Sequence, residues 1–223
     1  YAVRERAGAE TDLRPLLLSG GGCTIVYATT VKEVESLADK ARTWGVDAAA
    51  YHAQLPLEKR REVHRRFVHD EVPVVVATVA FGMGIDKPDV RRIIHYGMPK
   101  SMDEYYQQSG RAGRDGEPGE CVLFAGRGDA VRNAAMFDAD ERARALGGHM
   151  ERYCWTSACR RKTLLAYFDD DTQPSGASGC CDNCAAAAED VTDAARLVLE
   201  AVRAVSPAPG YYGLGMVGDV LRG

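Results

Sequence analysis

Residues 73–91 read PVVVATVAFGMGIDKPDVR and join the most strand-like run of the chain to a glycine-rich loop. The run Val74–Ala77 is uniformly apolar, which is typical of a strand buried on both faces of a parallel sheet. The residues that could reach a ligand follow directly: Thr78, Gly82, Gly84 and Asp86. Open α/β sheets bind ligands beyond the carboxyl ends of their strands. The segment therefore predicts a ligand-binding loop at that end of the sheet, although a G-x-G loop by itself is weak evidence.

Strand and helix patterns alternate on both sides of this segment. Apolar runs predict further strands over 24–28, 46–51, 90–96 and 119–124. Amphipathic patterns with capping residues predict helices over 30–44, 56–69 and 101–109. This alternation predicts an α/β fold in which helices cover both faces of a parallel sheet. After Gly126 the strand patterns stop, and helices are predicted over 129–146, 151–168 and 191–205.

The composition is that of an ordinary globular protein. Of the 223 residues, 46% are hydrophobic and 27% are charged, which argues against disorder. No run of about 18 apolar residues predicts a membrane span, so we expect no membrane partner. The charged first residues do not resemble a signal peptide, and a chain that starts with Tyr1 is expected to be a piece of a longer protein. The net charge of −4 argues against a simple basic nucleic-acid binder.

A second glycine-rich segment, residues 107–116, reads QQSGRAGRDG. It lies between a predicted helix and a predicted strand and carries Arg111 and Arg114. Glycine lets the backbone approach a ligand closely, and guanidinium groups suit bidentate contact with phosphate oxygens. The spacing therefore indicates a phosphate-binding loop. The alternative is a surface loop with two solvated arginines.

Five of the seven cysteines lie within residues 154–184. Without an export signal, clustered thiols indicate metal ligands sooner than disulfides. The residues Cys159, Cys180, Cys181 and Cys184 can form a tetrahedral structural zinc site, closed by a C-x₂-C spacing. The alternatives are four unligated thiols or a disulfide between Cys181 and Cys184. Cys154 is a competing ligand, but on a helix it would face elsewhere.

These segments resemble the RecQ family of superfamily-2 helicases. Residues 77–91 (ATVAFGMGIDKPDVR) and 105–116 (YYQQSGRAGRDG) are similar to its motifs V and VI. Residues 25–38 and 49–67 are similar to motif IV and the segment after it, except that Gln54 stands where relatives usually have glycine. The motif Cys-Cys-Asp-Asn-Cys resembles the zinc-binding subdomain of the Werner-type branch. The resemblance covers nearly the whole chain.

The resemblance implies three domains and a division of roles. A second RecA-like lobe would span 1–126, a helical zinc-binding subdomain 127–188, and the start of a winged-helix domain 189–223. Arg114 would be the arginine finger, Arg111 would assist at the phosphates or couple the lobes, and Gln107 would organise the nucleotide site. Further nucleotide contacts are implied for Asp86, Gly84, Gly110 and Gly113. Contacts to the backbone of single-stranded DNA are implied for Thr29, Thr30, Thr78 and Gly82.

The motifs that bind ATP phosphates and Mg²⁺ directly do not occur in these 223 residues. There is no G-x-x-x-x-G-K-[ST] and no D-E-x-H, and the triple glycine at 20–22 is followed by cysteine. We therefore expect ATP and Mg²⁺ to be held together with a first RecA-like lobe outside this chain, and the chain alone to be inactive.

The expected whole protein is an ATP-dependent 3′→5′ DNA helicase, a hydrolase and isomerase acting on single-stranded and branched duplex DNA. The resemblance further implies work in repair, recombination or replication, in the nucleus of a eukaryote or in the cytoplasm or nucleoid of a bacterium. One rival is a non-catalytic zinc-stabilised module that binds DNA or protein, which the intact pair Arg111 and Arg114 argues against. An RNA helicase is the other, disfavoured by the cysteine cluster.

Two smaller questions stay open at this point. The basic residues Arg160, Arg161 and Lys162 could contact DNA phosphates or form salt bridges with nearby carboxylates such as Asp169–Asp171. His52 is expected to satisfy a structural hydrogen bond, with a relay role as the alternative.

Overall fold

We describe the fold from a computed structural model that covers residues 1–82, 85–136, 141–172, 180–186 and 192–205. The predicted nucleotide residue Gly84 lies outside these described residues, as do residues 189–191 and 206–223 of the predicted winged-helix segment 189–223. Residues Tyr1–Ala185 form one compact unit, and Ala186–Gly223 belong to a second. Within the second unit, residues Thr192–Val205 form an amphipathic helix, α10, as the sequence pattern predicts.

The centre of the first unit is a six-stranded sheet in which every strand pair is parallel. The strands are β1 (Ala2–Glu5), β2 (Cys23–Ala28), β3 (Ala48–Tyr51), β4 (Val74–Ala77), β5 (Val90–Tyr96) and β6 (Glu120–Ala125). Their order across the sheet is β1-β6-β5-β2-β4-β3. The predicted α/β class with a parallel sheet is thereby confirmed. The sequence did not predict β1, a short edge strand that carries charged residues.

Nine helices of the first unit are described besides a 3₁₀ turn at Val79–Gly82. They are α1 (Ala9–Asp12), α2 (Arg14–Leu18), α3 (Val31–Thr43), α4 (Leu57–Val68), α5 (Met102–Ser109), α6 (Asp129–Met136), α7 (Glu141–Trp155), α8 (Arg160–Tyr167) and α9 (Asp182–Ala185). The predicted break between a helix over 129–146 and a helix over 151–168 is wrong. A single helix, α7, spans the supposed gap, because its buried Met150 and Tyr153 pack against the sheet side of α5, and the break falls after Trp155 instead.

Alternate strand residues supply the cores on the two faces of the sheet. On one face Val26, Val76 and Ile94 pack against α3. On the other face Ile25, Val75 and Ile93 pack against Val63 and Phe67 of α4, and farther along the same face β6 packs against α5, α7 and α8. Strands buried on both sides read as continuous apolar runs, which is why the sequence pattern located them so well.

The start of α3 is fixed by a capping box. The hydroxyl of Thr30 accepts a hydrogen bond from the backbone N–H of Glu33, and the Glu33 carboxylate accepts one from the Thr30 backbone N–H. This reciprocal pairing satisfies N–H groups that a helix otherwise leaves without partners. It sets the position of Thr29 and Thr30 just beyond the carboxyl end of β2.

No helix among the described residues is long and apolar enough to cross a membrane.

The α4 face gives a direct test of the packing. Phe67 is fully buried against the ring of Phe81, with ring centroids 5.7 Å apart. We expect Phe67→Ala to lower the free energy of unfolding by about 3–5 kcal/mol, because it removes the apolar surface and leaves a cavity. Urea denaturation measures the change. The half-exposed Leu57 on the same helix is the control, since Leu57→Ala should cost far less; equal losses would contradict this packing.

Candidate nucleotide, nucleic-acid and zinc sites

The segment between β4 and β5 crosses the sheet from one end to the other. Thr78 lies directly after the carboxyl end of β4, where its N–H donates to the Tyr51 carbonyl. The chain then passes through Phe81 and Ile85, both buried in the core beside α4. It ends at the amino end of β5. The seven residues of β5 span about 20 Å, which is roughly the distance between the two ends of the sheet.

The prediction that Asp86 sits at the carboxyl end of the sheet is therefore wrong. A parallel sheet requires each connection to return to the end where strands begin, and Asp86 lies four residues before β5 starts at Val90. Among the described residues of this segment, Thr78 and the 3₁₀ turn that ends at Gly82 lie near the carboxyl end.

A buried ammonium group fixes this return. Lys87 is 4% exposed, and its Nζ lies 2.8 Å from Asp70 Oδ1 and 3.0 Å from Asp89 Oδ1. Although burial opposes it, hydrogen bonding to these carboxylates raises the pKa of Lys87, so the group stays charged. The Cys23 sulfur and carboxylate oxygens of Asp70 and Asp89 lie within 4.8 Å of one another, close enough to share a metal ion. The ammonium of Lys87 already supplies the cation there.

The two arginines of the QQSGRAGRDG segment lie beside the end of this connection. Arg111 Nη1 donates to the Ile85 carbonyl at 3.2 Å, and Arg114 Nη1 lies 3.5 Å from Asp86 Oδ1. The backbone N–H of Gly113 donates to the Val90 carbonyl at 2.9 Å. A Cβ at Gly113, whose φ is +65°, would lie 2.4 Å from the Glu117 carbonyl oxygen, so only glycine fits this turn.

The structure thus brings Asp86, Arg111, Gly113 and Arg114 together at the amino end of β5. Arg114 is 41% exposed and Asp86 is 93% exposed along their side chains. A solvent-exposed ion pair contributes little stability. The guanidinium group of Arg114 is therefore available to an incoming anion. Gly110, also predicted to contact nucleotide, is the C-cap of α5, and its carbonyl accepts a hydrogen bond from Arg114 Nε at 3.3 Å.

Gln107 is exposed, and its neighbour Gln108 makes the buried contacts. Gln108 Oε1 lies 2.8 Å from Nε2 of His95, and Gln108 Nε2 donates to Glu104 at 3.1 Å. Complete burial lowers the pKa of His95 to about 4, although the hydrogen bond from His95 Nε2 to Gln108 Oε1 opposes this shift, so the ring is neutral. Sequence reasoning missed this pair, because a histidine inside an apolar strand gives no sign of its partner.

Thr29, Thr30 and Thr78 lie together at the carboxyl end of the sheet, after the adjacent strands β2 and β4. All three are half-buried, and the Thr30 hydroxyl is engaged in the helix cap. A small cavity of about 70 Å³ opens beside Thr29 and is also lined by Gly97, Lys100 and Gln108.

Four cysteines converge beyond α8. The Sγ atoms of Cys159, Cys180, Cys181 and Cys184 all lie within 4.8 Å of one another. The Sγ atoms of Cys159 and Cys180 are 3.7 Å apart. Zinc–sulfur bonds of about 2.3 Å in a tetrahedron put the sulfur atoms about 3.8 Å apart. An all-thiolate set at this spacing fits a structural Zn²⁺ ion.

The environment of Cys159 favours the thiolate that zinc requires. Cys159 is the N-cap of α8, and the backbone N–H of Lys162 lowers the pKa of its thiol to about 7. Cys154, the competing candidate, is buried in the core instead, and burial raises the pKa of its thiol to about 12. Its exclusion from the ligand set agrees with this location.

Arg160 ties the cysteine cluster to the rest of the fold. It is 4% exposed, Nε donates to Asp182 Oδ1 at 2.7 Å, and Nη1 donates to the Tyr153 carbonyl at 2.7 Å. The open question about Arg160 is therefore answered in favour of a salt bridge, with Asp182 as its partner. Arg161 and Lys162 are exposed.

The same aspartate joins the cluster to the edge of the sheet. Asp182 Oδ2 accepts a hydrogen bond from the Val3 N–H at 2.8 Å, and the Asp182 N–H donates to the Tyr1 carbonyl at 3.0 Å. The cysteine-bearing turn thus covers the open edge of β1, which would otherwise expose unpaired backbone groups.

Two protein-family models match successive parts of the chain. The model described as "Helicase conserved C-terminal domain" matches residues 9–116, and the model described as "RecQ zinc-binding" matches residues 127–185. The second match ends at the cysteine cluster. The chain belongs to the RecQ helicase family.

Relatives of this RecQ chain are helicases from distant organisms. It is 40% identical over 203 residues to "ATP-dependent DNA helicase Q-like 2" of Arabidopsis thaliana, covering 89% of this chain and 28% of that protein. It is 39% identical over 192 residues to the "Bifunctional 3'-5' exonuclease/ATP-dependent helicase WRN" of Mus musculus, covering 78% of this chain and 14% of that protein. The chain therefore spans less than a third of either relative.

A solved structure supports the fold of the RecQ lobe. The yeast DEAD-box splicing factor Prp28 superposes with a TM-score of 0.54 at 20% sequence identity, covering 78% of this chain and 37% of that one. At this identity the likeness concerns the RecA-like fold alone.

His52 departs from the expectation of a satisfied hydrogen bond. It is buried, and neither ring nitrogen hydrogen-bonds to any residue that the structure describes, although Nε2 lies 3.3 Å from Glu35 Oε1. The distance is that of an ion pair, but the orientation of the two groups is not that of a hydrogen bond.

The cysteine geometry predicts one zinc ion per chain. Elemental analysis of the purified protein should find it, and Cys184→Ser should abolish it, since Cys184 is an exposed ligand with little packing to lose. Chelation should lower the thermal midpoint of unfolding because zinc supplies folding energy. Cys154→Ala, which alters a buried cysteine outside the set, is the control. A folded protein without metal would contradict the assignment.

The buried His95 predicts a sensitivity to acid. Its pKa is lower in the folded protein than in the unfolded chain, so the unfolded chain binds the proton first and stability falls as pH drops from about 6.5 to about 4. Over that interval the wild type should lose about 3 kcal/mol more stability than His95→Gln. Urea denaturation at several pH values measures both. Parallel curves for the two proteins would show that His95 does not titrate in this range.

Proposed function

We propose that this chain is the C-terminal motor lobe and zinc-binding subdomain of an ATP-dependent DNA helicase. The observation that carries the proposal is the cluster of Asp86, Arg111 and Arg114 at the end of the motif V segment that begins at Thr78. The segment from Thr78 to Asp86, which is buried in the core at Phe81 and Ile85, thus links predicted nucleic-acid contacts to predicted nucleotide contacts.

At the nucleotide end, Arg114 acts as the arginine finger for ATP bound mainly by a first RecA-like lobe. Phosphoryl transfer to water depends on positioning and on stabilising charge at the phosphate oxygens. Arg114 supplies charge, Arg111 supports the loop from the Ile85 carbonyl, and Asp86 exchanges its arginine partner when the nucleotide arrives. Gln107 organises the nucleotide site, and Gly84 and Gly110 are further nucleotide contacts in this proposal. Mg²⁺ is held by the other lobe.

At the carboxyl end of the sheet, Thr29, Thr30, Thr78 and Gly82 contact the backbone of single-stranded DNA. Hydroxyl and backbone N–H groups suit phosphate contacts that hold a strand without reading its sequence. Closure of the two lobes on ATP would then move this surface along the strand. The 3′→5′ direction of this movement is what the resemblance to the RecQ family implies.

The remaining assignments follow the family. The RecA-like lobe spans 1–126, the zinc subdomain 127–188, and a winged-helix domain begins within 189–223. The whole protein unwinds branched duplex DNA in repair, recombination or replication, and it works in the nucleus of a eukaryote or in the cytoplasm or nucleoid of a bacterium. Its reaction classes are ATP hydrolysis and DNA strand separation, a hydrolase and an isomerase activity.

The decisive experiment uses a protein in which this chain is joined to its first RecA-like lobe. Arg114→Ala should lower DNA-stimulated ATP hydrolysis by about 10³-fold or more, because an arginine finger stabilises the charge of the transition state. Binding of single-stranded DNA should change little, since Arg114 lies at the other end of β5. Steady-state ATPase assays and fluorescence anisotropy measure the two properties.

The control is Arg127→Ala, which removes the same charge from an 80% exposed side chain outside the nucleotide cluster. It should leave ATP hydrolysis unchanged. Normal turnover in Arg114→Ala would refute the finger role. Loss of hydrolysis in both variants would point to a general charge effect instead, and DNA binding without any ATPase in the unmodified protein would favour the non-catalytic binding module.

A further inference from the structure

Three hydrogen-bond donors converge over Gly97, just beyond the carboxyl end of β5. A Cβ placed on Gly97 would lie 3.2 Å from Arg132 Nη2, 3.2 Å from Thr29 Oγ1 and 3.3 Å from Arg6 Nη1. Gly97 has φ +119°, a conformation that other residues rarely adopt. A Cβ at this position would be crowded by all three donors, so glycine is what lets them approach one another and the backbone this closely.

The donors come from parts of the chain that only the fold brings together. Arg6 follows β1, Thr29 follows β2, and Arg132 lies on α6. The carboxyl ends of parallel strands lie on the same side of a sheet, so the loops that follow them lie close together. The sequence motifs include Thr29 alone, so neither arginine was a candidate from the sequence.

A single buried carboxylate organises the two arginines. Asp129 is 1% exposed, and its Oδ1 lies 2.7 Å from Arg6 Nη2 and 3.1 Å from Arg132 Nη2. Its Oδ2 accepts hydrogen bonds from the backbone N–H groups of Met98 at 2.9 Å and Gly126 at 3.0 Å. Asp129 therefore fixes the positions of both guanidinium groups, just beyond the carboxyl ends of the strands.

Hydrogen-bond donors, and not a surplus of positive charge, suit this cluster to an anion. Arg6 and Arg132 share Asp129, and a second carboxylate, Glu33, lies 3.5 Å from Arg132 Nη1 while also serving the α3 cap, so two positive charges face two negative ones. Nη2 of Arg132 is ion-paired with Asp129, whereas Nε is buried and makes no hydrogen bond to any residue in the described part of the chain. A buried donor without an acceptor is costly, so the Arg132 guanidinium keeps hydrogen-bonding capacity that its protein partners do not use.

We propose that Arg6, Arg132 and Thr29 form a binding site for one backbone phosphate of the nucleic-acid strand, with Gly97 as its floor and Asp129 as its positioning residue. The proposal deepens the proposed function, on which it rests. Guanidinium groups bind phosphate oxygens through paired hydrogen bonds, and the hydroxyl adds a third donor. Because the donors contact phosphate and not a base, the site holds the strand whatever its sequence.

A nucleotide phosphate has the same chemistry, but the position favours the strand. The arginines proposed for ATP lie at the amino end of β5, and Gly97 lies beyond its carboxyl end, next to the threonines proposed to contact DNA. The two sources make different predictions, since a nucleotide site would alter the KM for ATP and a strand site would alter DNA affinity.

The test uses the protein that carries both lobes and a fluorescein-labelled oligothymidylate, with affinity measured by anisotropy over a series of NaCl concentrations. Arg6→Gln and Arg132→Gln should each weaken binding about tenfold through loss of a charge-assisted hydrogen bond. Each should also reduce the slope of log affinity against log salt by about 0.7, the value for one phosphate on a single strand. Thr29→Val should weaken binding without changing that slope, because it removes a donor but no charge.

Arg127→Gln is the matched control, since Arg127 follows the neighbouring strand β6 but is 80% exposed and pairs with Glu5. It should preserve both affinity and slope. If removal of an Asp129 partner unfolds a variant, Arg6→Lys and Arg132→Lys keep the charge and should bind with intermediate affinity and an unchanged slope.

Three results would overturn the inference. If the glutamine variants bind like Arg127→Gln while the unmodified protein binds DNA, the phosphate site is wrong and the proposed function stands. If they raise the KM for ATP without changing DNA affinity, the ligand is a nucleotide. If the unmodified protein binds no oligothymidylate, this inference and the proposed function fail together.

Discussion

The ion pairs of buried Lys87 hold the connection on which the rest of the nucleotide site depends. This ammonium group joins Asp70 at the end of α4 to Asp89 at the start of β5, and its charge lies 5.8 Å from the ring centre of Phe67. The ammonium is buried while both carboxylates reach solvent, so removing both carboxylates would leave a buried charge without a partner, which is strongly destabilising. The arrangement therefore specifies one path for motif V, and Asp86 meets Arg114 only because that path is fixed.

The cysteine cluster has a structural consequence beyond its own fold. Through Arg160 and Asp182, the metal-binding turn is hydrogen-bonded to the edge strand β1, and residues Tyr1–Ala185 form one compact unit. Zinc bound there would stabilise the RecA-like sheet as well as the small subdomain. The charge of Asp182 supports this joint: although partial burial opposes it, the Arg160 guanidinium lowers the pKa of Asp182, so the carboxylate stays ionised.

The two ends of β5 divide the proposed work of the lobe. In the proposal, Arg111 and Arg114 serve the nucleotide at the amino end, whereas Thr29, Gly97 and the arginines held by Asp129 serve the strand at the carboxyl end. The overall charge of −4 does not conflict with this proposal, because it needs only a few cations at defined positions. A lobe of this kind needs local donors at defined points more than a basic surface.

The sequence alone determined the sheet, the family and the chemically active residue types. Strands buried on both faces are apolar over most of their length, so β2, β4, β5 and β6 are visible as runs. The glycines, arginines and cysteines of the site occur in compact motifs. The charged edge strand β1 and the division of α7 were missed, because short edge strands lack that pattern and helix breaks depend on tertiary packing.

Tertiary structure decided which of these residues meet. Asp86 lies at the amino end of β5, and Arg160 forms a salt bridge with Asp182. Arg6, Thr29 and Arg132, from three separate segments, meet around Gly97. Parallel topology is the physical reason. All strands have their carboxyl ends on one side of the sheet, and every connection returns to the side of the amino ends. Which loops lie close together therefore depends on the order of strands in the sheet, which local sequence patterns do not encode.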